Sequence, residues 1–90
     1  MHRPDLVLWP NADGGLPVAV EVELTIKAHR RLIDICRAWA SNRAVAGVLY
    51  FAPSDVRRAL ARAIERAYAS ERIIVLPLDS LPGMGDHTWL

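Results

Sequence analysis

The chain has 90 residues, of which 52% are hydrophobic and 23% are charged, and its formal net charge is +1. This length makes one small domain, and a charge so close to zero does not by itself indicate a nucleic-acid partner. No apolar run approaches the ~18 residues needed to span a bilayer, and no signal-peptide core opens the chain. We therefore predict a cytoplasmic protein with no membrane partner.

The numbers of cysteine and arginine residues exclude some kinds of site and favour others. The single cysteine, Cys36, excludes an internal disulfide and a zinc site built from several cysteines. It falls on an apolar helical stripe, so a buried thiol is expected rather than a nucleophile. All the basic residues except Lys27 are arginine, which suits bidentate recognition of phosphate, although a GC-rich genome would produce the same bias.

The first two elements are predicted to form a β-hairpin. Residues 5–9 have the composition of a short strand. Apolar and other residues alternate over 18–24, which predicts a second strand with Glu21 and Glu23 on the same side. The turn-forming residues over 11–15 form a loop between them, so the two strands pair antiparallel.

The remaining residues predict two strand–helix–strand units. The first helix covers about 26–41, with Thr25 as its N-cap. The apolar run over 44–52 predicts a strand buried on both faces. Ser54 is the expected N-cap of the second helix, and the last strand covers 72–78. The predicted fold is α/β, with a small mixed four-stranded sheet made by a β-hairpin and two β-α-β units; residues 1–78 form the domain and 79–90 an irregular tail.

The hydrophobic content predicts a further partner. The mean hydropathy of +0.14 is high for so short a chain. If both helices pack on one face of the sheet, its other face is apolar and uncovered. We expect that face to be covered by a second copy in a homodimer or by a segment of a longer protein.

Three carboxylates are predicted to converge at one edge of the hairpin: Asp5, Glu21 and Glu23. Magnesium is usually held by one or two carboxylates together with water and phosphate oxygens. Such an ion can supply a hydroxide nucleophile for phosphodiester hydrolysis. The alternative is that Glu21 and Glu23 are simply the solvated side of an amphipathic strand.

Basic residues crowd the predicted start of the first helix: Lys27, His29, Arg30 and Arg31. The helix dipole disfavours cations there, whereas cations beside free N–H groups make a phosphate-binding position. Alternatively, Lys27 and Arg30 pair with Glu21 and Glu23 across the strand–helix junction. On the second helix, Arg58, Arg62 and Arg66 form a ridge, which either follows a nucleic-acid backbone or is only a solvated face.

The string Arg3-Pro4-Asp5, followed by Val20-Glu21-Val22-Glu23-Leu24-Thr25 and Lys27, resembles the replication-relaxation family of plasmids and other mobile elements, within the PD-(D/E)XK nuclease superfamily. The resemblance covers about residues 3–78. It implies a restriction-endonuclease-like core that here lacks the superfamily's leading helix. Family members are longer chains with a DNA-binding winged helix ahead of this region, which implies an N-terminal DNA-binding domain as a further partner.

The resemblance also implies residue roles. Asp5 and Glu21 would hold Mg²⁺ or Mn²⁺ with the Val22 carbonyl. Glu23, which stands where the superfamily usually has its lysine, would position or deprotonate water, and Lys27 would stabilise phosphate charge. The implied function is Mg²⁺-dependent phosphodiester hydrolysis in DNA, with DNA phosphates contacted by Lys27, Arg30, Arg31, Arg58 and Arg62. The alternatives are a non-catalytic module that dimerises or binds DNA or protein on the same fold, and a structural fragment whose activity lies in another domain.

Overall fold

The computed structural model describes residues 4–10 and 15–80, so most of the predicted loop over 11–15 and of the predicted tail over 79–90 lies outside it. The order of elements is the predicted β-β-α-β-α-β. They are β1 (Leu6–Leu8), β2 (Val18–Val22), α1 (His29–Ser41), β3 (Gly47–Ala52), α2 (Ser54–Arg66) and β4 (Ile73–Pro77), followed by a 3-10 turn at Leu78–Ser80.

The four strands form one mixed sheet in the order β1-β2-β3-β4, which confirms the predicted α/β fold class. β1 pairs antiparallel with β2, whereas β2, β3 and β4 are mutually parallel. The carboxyl ends of β2, β3 and β4 therefore meet at one edge of the sheet, which we call the carboxyl edge. β1 runs in the opposite direction, so it is its beginning, next to Asp5, that lies at this edge.

Both helices pack on the same face of the sheet. The strand residues in the hydrophobic core share one side of the alternation: Ala19, Val48, Tyr50, Ala52 and Ile73. The helices bring Leu32, Cys36 and Trp39 from α1, and Val56, Ala59, Leu60, Ala63 and Ile64 from α2. Trp39 Nε1 donates to the Tyr50 hydroxyl at 3.2 Å, so polar atoms of two buried rings are satisfied inside the core.

The opposite face of the sheet is apolar, as predicted for the case in which both helices pack on one face. The register places Leu6 opposite Val20, Val20 opposite Leu49, and Leu49 opposite Ile74, and residues opposite one another share a face. Leu6 and Leu8 are each 46% exposed and Ile74 is 56% exposed. Towards the middle of the face, Val20 and Phe51 are buried. We refer to the surface of Leu6, Leu8, Val18, Leu49 and Ile74 as the open sheet face.

The first helix begins later than predicted. Its N-cap is Ala28 and its first residue is His29, so the predicted Thr25 cap and the start near residue 26 are wrong. After β2 ends at Val22, the backbone amide of Glu23 still donates to the Phe51 carbonyl at 3.0 Å. The chain thus continues alongside β3 before it turns, and Lys27 lies in the connection rather than in the helix. The predicted Ser54 cap is also displaced, since Pro53 is the N-cap of α2 and Ser54 its first residue.

At the opposite end of the parallel strands, Arg72 hydrogen-bonds the connection that precedes β3. Its Nη2 donates to the carbonyls of Asn42 at 2.6 Å and Val45 at 2.8 Å, which ties the α1–β3 connection to the start of β4. Gly47 passes so near that an added Cβ would lie 2.9 Å from the Arg72 carbonyl oxygen, so this close approach needs glycine.

Across residues 4–10 and 15–80, no helix has the length and apolar character needed to cross a membrane.

Candidate functional site at the carboxyl edge

Asp5 and Glu21 lie side by side at the carboxyl edge. The Asp5 amide donates to Glu21 Oε2 at 2.9 Å, and the Val22 amide donates to Asp5 Oδ2 at 2.8 Å. Each carboxylate is therefore held by the backbone of the other strand. The Asp5 amide also donates to the Val20 carbonyl at 3.1 Å, so the backbone of Asp5 is bound to β2 beyond the last paired residue of β1. The geometry follows from the hairpin, because the residue before Leu6 must face the residue after Val20.

The site is rich in oxygen donors. Asp5 and Glu21 face each other where the β1–β2 pairing ends, and Glu21 is only 4% exposed. The Val22 amide points to the β1 side, and the carbonyl of the same residue points to that side too in an antiparallel strand. Two carboxylates and one carbonyl are the oxygen donors that a hard divalent cation takes.

Glu23 is paired with Lys27 in the connection that follows β2. Its Oε1 accepts a 2.5 Å hydrogen bond from Lys27 Nζ, and the two side chains are 18% and 29% exposed respectively. Of the two sequence alternatives for Lys27, pairing with a glutamate at the strand–helix junction is therefore observed. Within the described ranges, no three His, Cys, Asp or Glu side chains form a group that could hold a metal ion. Glu23 thus stands beside the acid pair, with its own cation.

Tyr50 forms the inner wall of this region. It lies opposite Glu21 in the β2–β3 register. Burial raises the pKa of the Tyr50 hydroxyl far above its ordinary range; the hydrogen bond from Trp39 opposes this rise, while the charges of Glu21, Cys36 and Glu23 add to it. At neutral pH the hydroxyl therefore keeps its proton and acts as a structural group rather than as an acid or base.

Arg30 and Arg31 occupy the exposed first turn of α1, as predicted. No side chain in the described part of the chain caps this turn, and the turn contains no acidic residue. Arg31 lines a cleft of about 700 Å³ along α1, together with Ile35, Trp39 and Arg43 among others.

Of the arginines predicted on the second helix, Arg58 and Arg62 are both exposed on α2. Arg62 lines a cleft of about 290 Å³ with His29, Glu65 and Arg66. The helix packing thus brings Arg62 beside the start of α1. No sequence periodicity indicated this meeting, because it depends on how the two helices are placed on the sheet.

Two residues at the same edge were missed by the sequence interpretation: Arg57 and Asp79. Arg57 Nη1 donates to the Ala52 carbonyl at 2.8 Å. Arg57 and Asp79 line a cleft of about 580 Å³ together with Pro53, Pro77 and Leu78. Arg57 lies next to the predicted ridge but not on it. The position just after a parallel strand was the available signal, since ligands bind outside the carboxyl ends of such strands.

Comparisons of the chain with protein-family models, with curated proteins and with solved structures found no match in any of the three.

Proposed function

We propose that this chain is a nuclease-like domain that hydrolyses phosphodiester bonds of DNA with Mg²⁺ or Mn²⁺. It would act in the cytoplasm, in the replication, processing or mobilisation of a plasmid or other mobile element. The observation that carries the proposal is the reciprocal bonding of Asp5 and Glu21 to each other's strand at the carboxyl edge. The Glu23–Lys27 ion pair beside them adds a carboxylate and an ammonium to the same strand end.

The donor set fits a hard cation. Asp5 and Glu21, together with the Val22 carbonyl, would hold the ion, and their backbone hydrogen bonds orient the two carboxylates in the way that outer contacts orient metal ligands. When bound, the ion supplies a water of lowered pKa and neutralises charge on the phosphate.

The remaining roles belong to the ion pair and the arginines. Glu23, oriented by Lys27, accepts a proton from the attacking water, and Lys27 places positive charge where the phosphate gains negative charge. The exposed arginines contact neighbouring phosphates and position the DNA without reading its sequence. They are Arg30, Arg31, Arg58 and Arg62.

Nicking of supercoiled plasmid tests the activity. The protein is incubated with plasmid in Mg²⁺, Mn²⁺ or EDTA, alongside Glu21→Gln and the control Asp34→Asn, an exposed acid on α1. We expect metal-dependent nicking by the native protein and by Asp34→Asn, and none by Glu21→Gln or in EDTA. Nicking that survives in EDTA or in Glu21→Gln would contradict the proposal.

Calorimetric titration with Mn²⁺ tests the metal site without requiring cleavage. Glu21→Gln removes one charged ligand, so Mn²⁺ affinity is expected to fall by about tenfold or more. Asp34→Asn is expected to bind Mn²⁺ like the native protein. If Glu21→Gln and the native protein bind Mn²⁺ equally, the metal-ligand roles are wrong.

The open sheet face favours a second candidate function, a non-catalytic module that associates with a second copy of itself. Exposed leucine and isoleucine side chains lie there on both edge strands, β1 and β4, and exposed apolar surface of this kind marks interaction surfaces. Sedimentation of the native protein is compared with Ile74→Lys and with the control Tyr68→Lys, a residue 93% exposed outside this face. A dimer lost only in Ile74→Lys supports this function, and a strictly monomeric native profile excludes it.

A further inference from the structure

A second cleft at the carboxyl edge lies beyond the acids, at the ends of β3 and β4. Its volume is about 580 Å³, within the range of about 300–1,000 Å³ typical of small-molecule sites. The residues that the structure describes around it come from three segments: Pro53 and Arg57 at the start of α2, Pro77 at the end of β4, and Leu78 and Asp79 in the following turn.

Arg57 is held in a fixed position in this cleft. Its Nη1 donates to the Ala52 carbonyl, the last residue of β3, at 2.8 Å, and the side chain is only partly exposed. The bond uses a single donor of a planar guanidinium that carries several. A guanidinium anchored on a strand end is preorganised to bind phosphate oxygens, because little side-chain freedom remains to be lost on binding.

The other walls differ in chemistry from Arg57. Pro53, Pro77 and Leu78 present apolar surface, and Asp79 is an exposed carboxylate that accepts hydrogen bonds. A cation, an apolar surface and an acceptor in one cleft match a ligand with an anionic end, a flat apolar body and N–H groups. A nucleotide has these three parts in its phosphate, in the faces of its base and in the amino or imino edge of that base.

We propose that this cleft binds one nucleotide of a DNA strand. The phosphate binds Arg57, the base lies against Pro77 and Leu78, and Asp79 accepts from base N–H groups. Guanine fits best because its adjacent N1–H and N2–H donors match the two oxygens of a carboxylate. The inference rests on the proposed function in one respect, that the ligand is nucleic acid. The register gives the placement: the Glu23 backbone amide donates to the Phe51 carbonyl and Phe51 lies opposite Leu76, so the β4 side of the cleft lies two strand spacings, about 10 Å, from β2.

Calorimetric titrations with guanosine 5′-monophosphate, guanosine and inorganic phosphate test the site. All contain EDTA, so that no divalent metal contributes to the measured affinity. We expect the nucleotide to bind at least about tenfold more tightly than either guanosine or phosphate, since each of these lacks one of the two anchors. Equal binding of phosphate and the nucleotide would leave only an anion site and would overturn the proposal.

Variants assign the binding to Arg57. Arg57→Gln is expected to weaken binding of guanosine 5′-monophosphate by about tenfold or more, because a charge-assisted hydrogen bond is lost. Arg57→Lys, which keeps the charge but not the planar fork, should fall between Arg57→Gln and the native protein. The control Arg43→Gln removes an exposed arginine of the α1–β3 connection, at the other edge of the sheet, and should bind like the native protein. If Arg57→Gln binds as the native protein does while its melting temperature is unchanged, the site is not at Arg57.

The outcome is separable from that of the nicking assay. Nucleotide binding in EDTA without any nicking would support this cleft and contradict the hydrolytic activity. Nicking without nucleotide binding would support the acid pair and overturn the inference about the cleft.

Discussion

Lys27 lies in a different element from the one that its sequence position predicted. Sequence spacing placed it in a helical turn, whereas the structure places it in the connection before α1, with its ammonium on Glu23. The pair is partly shielded from water, with 29% of the Lys27 side chain and 18% of the Glu23 side chain exposed. In the proposed mechanism this ion pair sets both the position and the charge of Glu23.

Replacing Lys27 tests the pair thermodynamically. Lys27→Met is expected to lower the free energy of unfolding by about 0.5–1 kcal/mol, because a partly exposed ion pair contributes no more than this. The measurement is urea denaturation at pH 7. In a Glu23→Gln background the same substitution should cost almost nothing, and an equal cost in both backgrounds would show that the two side chains do not interact.

Cys36 predicts an alkaline limit to stability. Its thiol is fully buried in the core, and this burial raises its pKa to about 11. The unfolded thiol has a pKa of about 8.5. Because the folded pKa is the higher one, this contribution to stability is complete below about pH 8.5 and is lost as the pH rises to about 11.

The expected loss is on the order of 2–3 kcal/mol across that window. Urea denaturation of the native protein and of Cys36→Ala at pH 8 and pH 10.5 checks it. Cys36→Ala is less stable at pH 8, since the substitution leaves a cavity, but its stability should fall less with pH. Parallel pH profiles would mean that the buried thiol is not what titrates, since Tyr50 is present in both proteins.

At the scale of elements, the start of α1 is chemically unusual. A helix normally begins with a side chain that accepts from its first free amides, and with acidic residues in its first turn. Here Ala28 is the N-cap, without a capping hydrogen bond from the described residues, and His29, Arg30 and Arg31 follow. This first turn therefore lacks the stabilisation that a capping side chain or an acidic residue would give. It presents N–H groups and cations to solvent, which suits the proposed contact with DNA phosphates.

Substitution at Ala28 separates stability from binding. Ala28→Ser and Ala28→Asp are each expected to raise the free energy of unfolding by about 1 kcal/mol through a new cap. Only Ala28→Asp should weaken binding of a DNA duplex, since it places a negative charge beside Arg30. Urea denaturation and fluorescence anisotropy with a labelled duplex make the two measurements. Equal DNA affinities for the two variants would show that DNA does not approach this turn.

At the scale of the whole molecule, parallel strand direction gathers the candidate chemistry at one edge. Three strands end there, both helices follow strands that end there, and β1 begins there. The acid pair, the Glu23–Lys27 pair and the Arg57 cleft are contributed by separate parts of the chain, so they come to the same edge of the sheet only in the folded state.

The salt dependence of DNA affinity tests this arrangement. Each phosphate contact adds about 0.9 to the slope of log affinity against log salt for duplex DNA. The double variant Arg30→Gln/Arg62→Gln should therefore lower the slope by about 1.8. The matched control Arg37→Gln/Arg43→Gln removes two other exposed arginines and should leave the slope unchanged. Equal losses in the two double variants would show that DNA binding is not localised to Arg30 and Arg62.

Much of the architecture was predictable because strands and helices produce local periodic patterns of apolar residues in the sequence. Alternation over 18–24, helical stripes and turn residues predicted the four strands, the two α-helices, the hairpin and the mixed sheet, and these are confirmed, whereas the 3-10 turn at Leu78–Ser80 was not predicted. The proximity of Asp5 and Glu21 followed from the hairpin as well, because antiparallel register determines which residues face each other. The position of α1 was predicted wrongly, because the extended connection after β2 is stabilised by β3 and by an ion pair rather than by a local signal.

By itself, the sequence determined the types and order of the elements and the apolar character of both sheet faces. Only the tertiary structure decided that Lys27 meets Glu23, that Arg62 meets His29, and that Arg57 and Asp79 share a cleft. The physical reason is that strands and helices repeat with fixed periods that composition reveals. Contacts between their ends depend instead on connection dihedrals and helix placement, which are set by packing across segments distant in the chain.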